Sequence, residues 1–226
     1  MKTLVVLSGA GISAESGLKT FRDSGGLWEN YDVHQVATPE AWAADPALVQ
    51  RFYNERRKQA MQAEPNDGHR IISELERHFS VEVVTQNVDD LHERAGSTKV
   101  LHLHGELRKV RSSVDSELVY EVDGWEVKMG DLCEKGSQLR PHIVWFGEAV
   151  PALSEAASIV SRADVLIIVG TSLNVYPAAS LWEYAPADCP IYVIDPSDVA
   201  INHPRFQFIK EKGSVGLKQL KEMLLG

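Results

Sequence analysis

The stretch Ser8-Gly9-Ala10-Gly11-Ile12-Ser13-Ala14-Glu15 follows directly on the apolar run Leu4-Val5-Val6-Leu7. A glycine pair at this spacing lets a strand turn sharply into a helix, whose first amides can hold a pyrophosphate. A tight turn without any ligand fits the same residues, so the motif by itself is weak. A dehydrogenase would continue with a second strand and an acidic ribose ligand. Here Gly17-Leu18-Lys19-Thr20-Phe21-Arg22-Asp23-Ser24-Gly25-Gly26 follows, a loop with cations and an aromatic ring.

Further polar groups recur where apolar runs end. Thr85-Gln86-Asn87-Val88-Asp89-Asp90-Leu91-His92 sets amides and a carboxylate at what reads as the carboxyl edge of a sheet, where open α/β folds bind ligands. Leu101-His102-Leu103-His104-Gly105 offers two imidazoles. His102 reads as a satisfied structural residue, and His104, before a glycine, as the better general base, since imidazole titrates near working pH. Val169-Gly170-Thr171-Ser172 and Ile194-Asp195-Pro196-Ser197 end two more runs in small-residue turns.

The elements that must position these groups are legible in outline. Runs at 4–7, 81–85, 165–169 and 191–194 are apolar on both faces, as in a parallel sheet covered by helices. Thr38-Pro39, Asp45-Pro46 and Asn66-Asp67 each put a capping side chain before helical spacing. The last helix shows Leu217, Leu220, Met223 and Leu224. Between them, Asp123-Gly124 suggests a two-residue hairpin turn pairing Val122 with Trp125, Tyr120 with Val127 and Leu118 with Met129. The expected fold class is α/β, a Rossmann-like parallel sheet with helices on both faces plus a small inserted lobe of helices and a β-hairpin. The large domain is expected over 1–29, 76–107 and 142–226, and the lobe over 30–75 and 108–141.

The 226 residues are 44% hydrophobic and 24% charged, enough for one core with a satellite and incompatible with disorder or collagen. With 32 acidic and 23 basic residues the net charge is −9, which argues against nucleic acid as a partner. Cys133 and Cys189 are the only two cysteines, too few for a disulfide framework or a four-cysteine zinc site, and they fit a reducing, cytoplasmic setting. The first apolar run is too short for a secretory signal, and no run approaches the length of a membrane span. A soluble monomer is the favoured reading.

Taken together, Gly9-Ala10-Gly11-Ile12-Ser13, Thr20-Phe21-Arg22, Thr85-Gln86-Asn87-Val88-Asp89, His104-Gly105, Val144-Trp145-Phe146-Gly147-Glu148 and Gly170-Thr171-Ser172 resemble the sirtuin family of NAD-dependent protein deacylases. The order and spacing match over nearly the whole chain. The resemblance implies NAD held between two lobes as a consumed co-substrate, with the acyl group of an acyl-lysine peptide or protein passing to ADP-ribose and nicotinamide released. His104 would be the base, with Asn87 and Asp89 beside it at the ribose. Gln86 would line the nicotinamide pocket. Gly9, Ala10, Gly11, Ser13, Ala14, Glu15, Thr20, Phe21, Arg22 and Trp28 would contribute to cofactor binding. Gly170, Thr171 and Ser172 would serve the phosphate and adenosine side, and Asp195 the adenosine ribose. Val144, Trp145, Phe146 and Gly147 would receive the substrate peptide as an added strand.

Tyr53 and Arg56, three apart on one helical face, resemble the pair with which class III sirtuins grip the carboxylate of succinyl- or malonyl-lysine. Ala14 fits the same class. The family's two Cys-x-x-Cys pairs are missing, so no structural zinc is expected; His102, His142 and Cys133 match no standard zinc spacing. An apolar hairpin around Tyr120, Val122, Trp125 and Val127 is the candidate replacement. Competing readings are a protein ADP-ribosyltransferase and a non-catalytic NAD or ADP-ribose sensor. The histidine, asparagine and aspartate together weigh against the sensor, which needs no base.

Overall fold

The computed structural model describes residues 1–19, 27–28, 31–197, 201 and 203–226, with 27–28 described as backbone only. In chain order the first half forms β1 (Thr3–Ser8), α1 (Ala10–Ala14), β2 (Leu27–Trp28), β3 (Tyr31–Asp32), α2 (Val33–Val36), α3 (Pro39–Ala44), α4 (Pro46–Gln62), α5 (Asp67–Leu75), β4 (Ser80–Thr85), α6 (Leu91–Arg94) and β5 (Val100–His102). The second half forms β6 (Gly105–Ser112), β7 (Val119–Glu121), β8 (Leu139–Ile143), α7 (Leu153–Val160), β9 (Val165–Val169), a 3-10 helix (Ala178–Tyr184), β10 (Ile191–Ile194), β11 (Phe206–Ile209) and α8 (Gly213–Leu225).

All four apolar runs become strands of one six-stranded sheet in the order β11-β10-β9-β1-β4-β5. Every pairing in it is parallel. Side chains alternate between its faces. Val5 and Leu7 of β1 join Leu166 and Ile168 of β9 in a core closed by α7 and the 3-10 helix. Leu4 and Val6 join Ile167 and Val169 in a second core closed by Ile71, Ile72 and Leu75 of α5 and Leu217 and Leu220 of α8. Met223, expected on that face, is 63% exposed. From central β1 the chain winds outward through β4 and β5, then crosses back to β9 and winds the other way. The reversal opens a crevice beyond the carboxyl ends of β1 and β9, the usual ligand position in such sheets.

The small lobe is built from α2, α3 and α4 against the three-stranded antiparallel sheet β7-β6-β8. Its core gathers Val36, Val49, Phe52, Tyr53, Leu107, Ile143 and Trp145. The three marked helix starts hold: Thr38 Oγ1 accepts from Ala41 N–H, Asp45 Oδ1 from Leu48 N–H and Asn66 Oδ1 from Gly68 N–H. Although the boundary drawn from sequence left α5 with the lobe, its apolar face packs on the parallel sheet.

The hairpin expected at Asp123-Gly124 does not form. β7 pairs with β6, placing Tyr120 opposite Val110 and Glu121 opposite Lys109, and the residues after Gly124 leave the ladder. The physical reason lies in α4. Asn54 takes both backbone groups of Val127, donating to its carbonyl at 2.9 Å and accepting its N–H at 3.0 Å. Buried Arg57 holds the Trp125 carbonyl at 2.8 Å and also donates to the Leu107 carbonyl. These contacts satisfy the groups a hairpin ladder would have used. Val110, Val122 and Val127 form a small core with Tyr120 and Leu139, whereas Trp125 is 37% exposed under the Lys58 ammonium.

Candidate active site

The carboxyl ends of β1, β4 and β9 bring Ser13, Gln86, Asn87, Asp89, Thr171 and, from the residues after β5, His104 to one crevice. Its floor is two backbone turns in direct contact. Gly11 N–H donates to the Gly170 carbonyl at 2.8 Å, and a Cβ on Gly9 would lie 2.7 Å from Gly170 O and Thr171 Cβ. Gly170 has φ +64° and its α-hydrogen faces Ile12 N, so any side chain there would strike α1. The glycines therefore serve first to let these two turns touch, and in doing so they leave the crevice floor free of side chains. Thr171 Oγ1 accepts from Gln86 Nε2 at 3.2 Å, tying the turn after β9 to the loop after β4.

Asn87 and Asp89 are both buried, a state that polar groups sustain only with partners. Asn87 Nδ2 donates to Ser13 Oγ at 3.1 Å, and Ser13 Oγ donates to Asp89 Oδ1 at 3.4 Å. Burial raises the Asp89 pKa, while the Leu91 N–H, the Ser13 hydroxyl and the charges of His102 and Arg56 work to keep it ionised.

Below these lie residues that sequence reasoning missed. His69 of α5 faces Ser13 Oγ with Nε2 at 3.5 Å while its Nδ1 accepts the Asn66 N–H, which fixes the proton on Nε2. His92 faces Ser8 Oγ with Nε2 at 2.9 Å, and Ser8 in turn donates to Thr85 Oγ1 at 2.8 Å. Burial holds the His69 pKa down to about 4 and that of His92 well below the ordinary range. The Asn66-x-x-His69 spacing, a capping box, was the one local signal available for His69.

His104 is half-buried, and its Nδ1 donates to the Gln86 carbonyl at 3.2 Å. Nε2 therefore carries the lone pair, the form a general base requires. Burial lowers its pKa, opposed by the Gln86 hydrogen bond, so the ring is neutral at pH 7. The next residue, Gly105, has φ +81°, and a Cβ there would overlap the His142 carbonyl oxygen. Only glycine lets β6 start so close to β8 and leave His104 at the crevice.

From the lobe side, α4 contributes Tyr53 and Arg56. Tyr53 is buried, and its hydroxyl oxygen accepts from Trp145 Nε1 at 3.1 Å, which leaves its own hydrogen to donate. Burial raises the Tyr53 pKa and the Arg56 charge lowers it. The Arg56 charge also works to hold the Asp89 pKa down, and its guanidinium lies 5.8 Å from the Phe52 ring centre. Trp145 is itself a core residue, with the Arg140 guanidinium 3.3 Å from its ring centre and its N–H donating to Glu148 Oε2 at 2.8 Å.

Other expected residues take different places. The N–H groups of Val144, Trp145 and Phe146 are engaged by His104 O, Glu148 and Ala37 O, so an added strand along this segment would have to donate to carbonyls. Phe146 and Gly147 are exposed beside it. Glu15 accepts from both the N–H and the hydroxyl of Ser214, at 3.0 and 2.6 Å, at the first turn of α8. Ala10 is exposed, and Ala14 and Ser172 are half-buried. Asp195, buried at the end of β10, accepts from Ser197 N–H at 2.9 Å. Thr20, Phe21, Arg22 and the Trp28 side chain lie outside the described residues. Among the described residues no cluster of His, Cys, Asp and Glu could hold a metal ion, and no helix is long and apolar enough to cross a membrane.

The side-chain-free floor, the amide and carboxylate pair and the neutral imidazole suit the hydroxyls and phosphates of a dinucleotide. Comparison with known proteins agrees. The Sir2 family model matches residues 9–177. An NAD-dependent protein deacylase of Bacteroides thetaiotaomicron is 54% identical over 231 residues, covering 100% of this chain and 99% of that one. One of Helicobacter pylori is 54% identical over 228 residues, covering 100% and 98%. Among solved structures, a Sir2 homologue in complex with NAD has a TM-score of 0.90 at 41% identity, covering 99% of this chain and 89% of that one. A Sir2 complex with a p53 peptide and NAD+ has a TM-score of 0.83 at 32% identity, covering 98% and 92%. The chain belongs to the Sir2 family.

Proposed function

We propose that this chain, an NAD-dependent protein deacylase of the Sir2 family, prefers lysines whose acyl group ends in a carboxylate, such as succinyl- and malonyl-lysine, while also removing acetyl groups. When bound, NAD supplies a ribose carbon that takes the acyl oxygen as nicotinamide leaves. The chain's own groups do the rest. Asn87 and Asp89, held by Ser13, orient the ribose hydroxyls, and His104 Nε2 removes a proton from one of them so that the acyl group can move to the sugar. The Gly9, Gly11 and Gly170 turns receive the phosphates, and Thr20, Phe21, Arg22 and Trp28 are proposed to cover the cofactor against water.

The observation that carries the acyl preference is a Tyr53 hydroxyl that accepts from Trp145 Nε1 and so keeps its own proton to donate, one helical turn before the Arg56 cation on α4. A charge-assisted hydrogen bond contributes about 1.5–3 kcal/mol, or roughly tenfold to hundredfold in kcat/KM. Wild-type enzyme is expected to turn over a succinyl-lysine peptide faster than its acetyl counterpart, and Arg56→Met to remove the difference. Mass spectrometry should find 2′-O-acyl-ADP-ribose among the products. Equal turnover of the two peptides by wild type ends the acyl assignment. Labelled protein with nicotinamide released in the absence of acyl-lysine would point to ADP-ribosyl transfer instead.

The small lobe is proposed to hold without zinc. Cys133 is buried with Sγ within 3.3 Å of Ser112 Oγ and 3.2 Å of Ser137 Oγ, and the Asn54–Arg57 contacts to 125–127 join the lobe's helix to its loop. Stoichiometric zinc in purified protein would contradict this.

A further inference from the structure

The loop that carries Gln86, Asn87 and Asp89 is held carbonyl by carbonyl from the end of β5 and the start of β6. Gln86 O accepts from His104 Nδ1, Asn87 O from His102 Nδ1 and Val88 O from Leu107 N–H. The two histidines differ in one respect. His104 has one acceptor, at Nδ1, whereas His102 has two: Asn87 O at 2.8 Å from Nδ1 and Glu93 Oε1 at 2.8 Å from Nε2. A carbonyl and a carboxylate can only accept, and a neutral imidazole has a single N–H to give. Both contacts together require both ring nitrogens to be protonated. The ring's side chain is only 7% exposed, so the protein itself supplies its partners.

We propose that His102 is a positioning residue that works as an imidazolium, clipping the Asn87 carbonyl to Glu93 of α6 and so fixing the turn from which Asn87 and Asp89 face the crevice. The Asn87 peptide is then held at both ends, since its N–H also donates to Thr85 Oγ1 at 3.0 Å. The charged groups around the ring agree. Glu93 from α6 and Glu106 from β6 act on it as anions, although Lys109 of β6 pairs with Glu106 at 2.6 Å and also acts on Glu93; its charge acts on Asp89, and His92, the nearby imidazole of α6, is neutral through burial. Burial alone would lower the His102 pKa, but Glu93 and the Asn87 carbonyl raise it from the ordinary value of 6.5. Two imidazoles two residues apart thus divide the work: one neutral and open to the substrate, one cationic and closed.

The functional part of this inference rests on the NAD reading of the crevice, whereas the protonation part does not, so the two fail separately. Long-range ring 15N–1H spectra of the wild-type protein at pH 7 should show one histidine with both nitrogens protonated, and Glu93→Gln should shift its titration to lower pH. In steady-state assays Glu93→Gln should move the alkaline limb of kcat to lower pH. His102→Gln, which retains a single donor, should lower kcat about tenfold with a smaller change in KM for NAD, and should lose that limb. A neutral-tautomer pattern for His102 at pH 7 overturns the proposal without any variant. So does an alkaline limb that Glu93→Gln leaves in place.

Discussion

The Trp145 indole N–H ends on the Tyr53 hydroxyl, 3.1 Å away, inside the core of the small lobe. The contact serves packing, and because accepting this bond leaves Tyr53 its own proton to give, it also suits the proposed grip on an acyl carboxylate. Tyr53→Phe strands the buried Trp145 donor, and a loss of about 1–3 kcal/mol of folding stability is expected in urea titrations. The same substitution should reduce turnover of succinyl-lysine peptide more than that of acetyl-lysine peptide.

In its proposed role as base His104 must be deprotonated, and burial holds its pKa below the ordinary value of 6.5. The acid limb of kcat/KM should therefore lie below that of an exposed imidazole, with the rate already level at neutral pH. His104→Ala should abolish acyl transfer. A pH profile on the preferred peptide, from mildly acidic to neutral, reads this directly. A limb above 6.5 would contradict the geometry.

Acid should destabilise the protein in part through His69, with buried His92 acting in the same direction. The His69 pKa falls from 6.5 unfolded to about 4 folded, so the unfolded chain binds the extra proton. The contribution is fully present above 6.5 and is lost as pH falls toward 4, at about 1.4 kcal/mol per pH unit or roughly 3 kcal/mol in all. Urea midpoints at neutral and acid pH should differ accordingly. His69→Gln should flatten that dependence.

Arg57 is buried and donates to the Leu107 and Trp125 carbonyls and to Asn54 Oδ1. Replacing it with leucine removes charge-assisted bonds and leaves two backbone acceptors without their donor, at a cost of about 1.5–3 kcal/mol or more. If the lobe holds without metal, this loss should be the same with and without chelator in thermal melts.

The parallel sheet could be read directly. Runs such as Leu4–Leu7 and Val165–Val169 contain no polar residue, so each must be covered on both faces, and helices joined by crossovers are the arrangement that does so. The helix starts were equally local, since a cap needs only the residue before the first turn. β5 and β11 were harder to see, being short strands outside any long apolar run. The hairpin at Asp123-Gly124 was misread because a turn dipeptide reports local preference only. Asn54 and Arg57, some seventy residues earlier, claimed the backbone groups it needed.

The sequence by itself determined which residue types stand at the ends of the strands: a histidine before glycine, an amide and a carboxylate two apart, and paired glycines. Apolar runs and turn residues act over a few positions, and so they can be read without coordinates. Only the tertiary structure decided what each group became. It tied Glu15 to the first turn of α8, set His69 beneath Ser13, and gave His102 two acceptors where His104 has one. The protonation and orientation of a side chain are set by the partners around it, and folding brings those partners from distant parts of the chain.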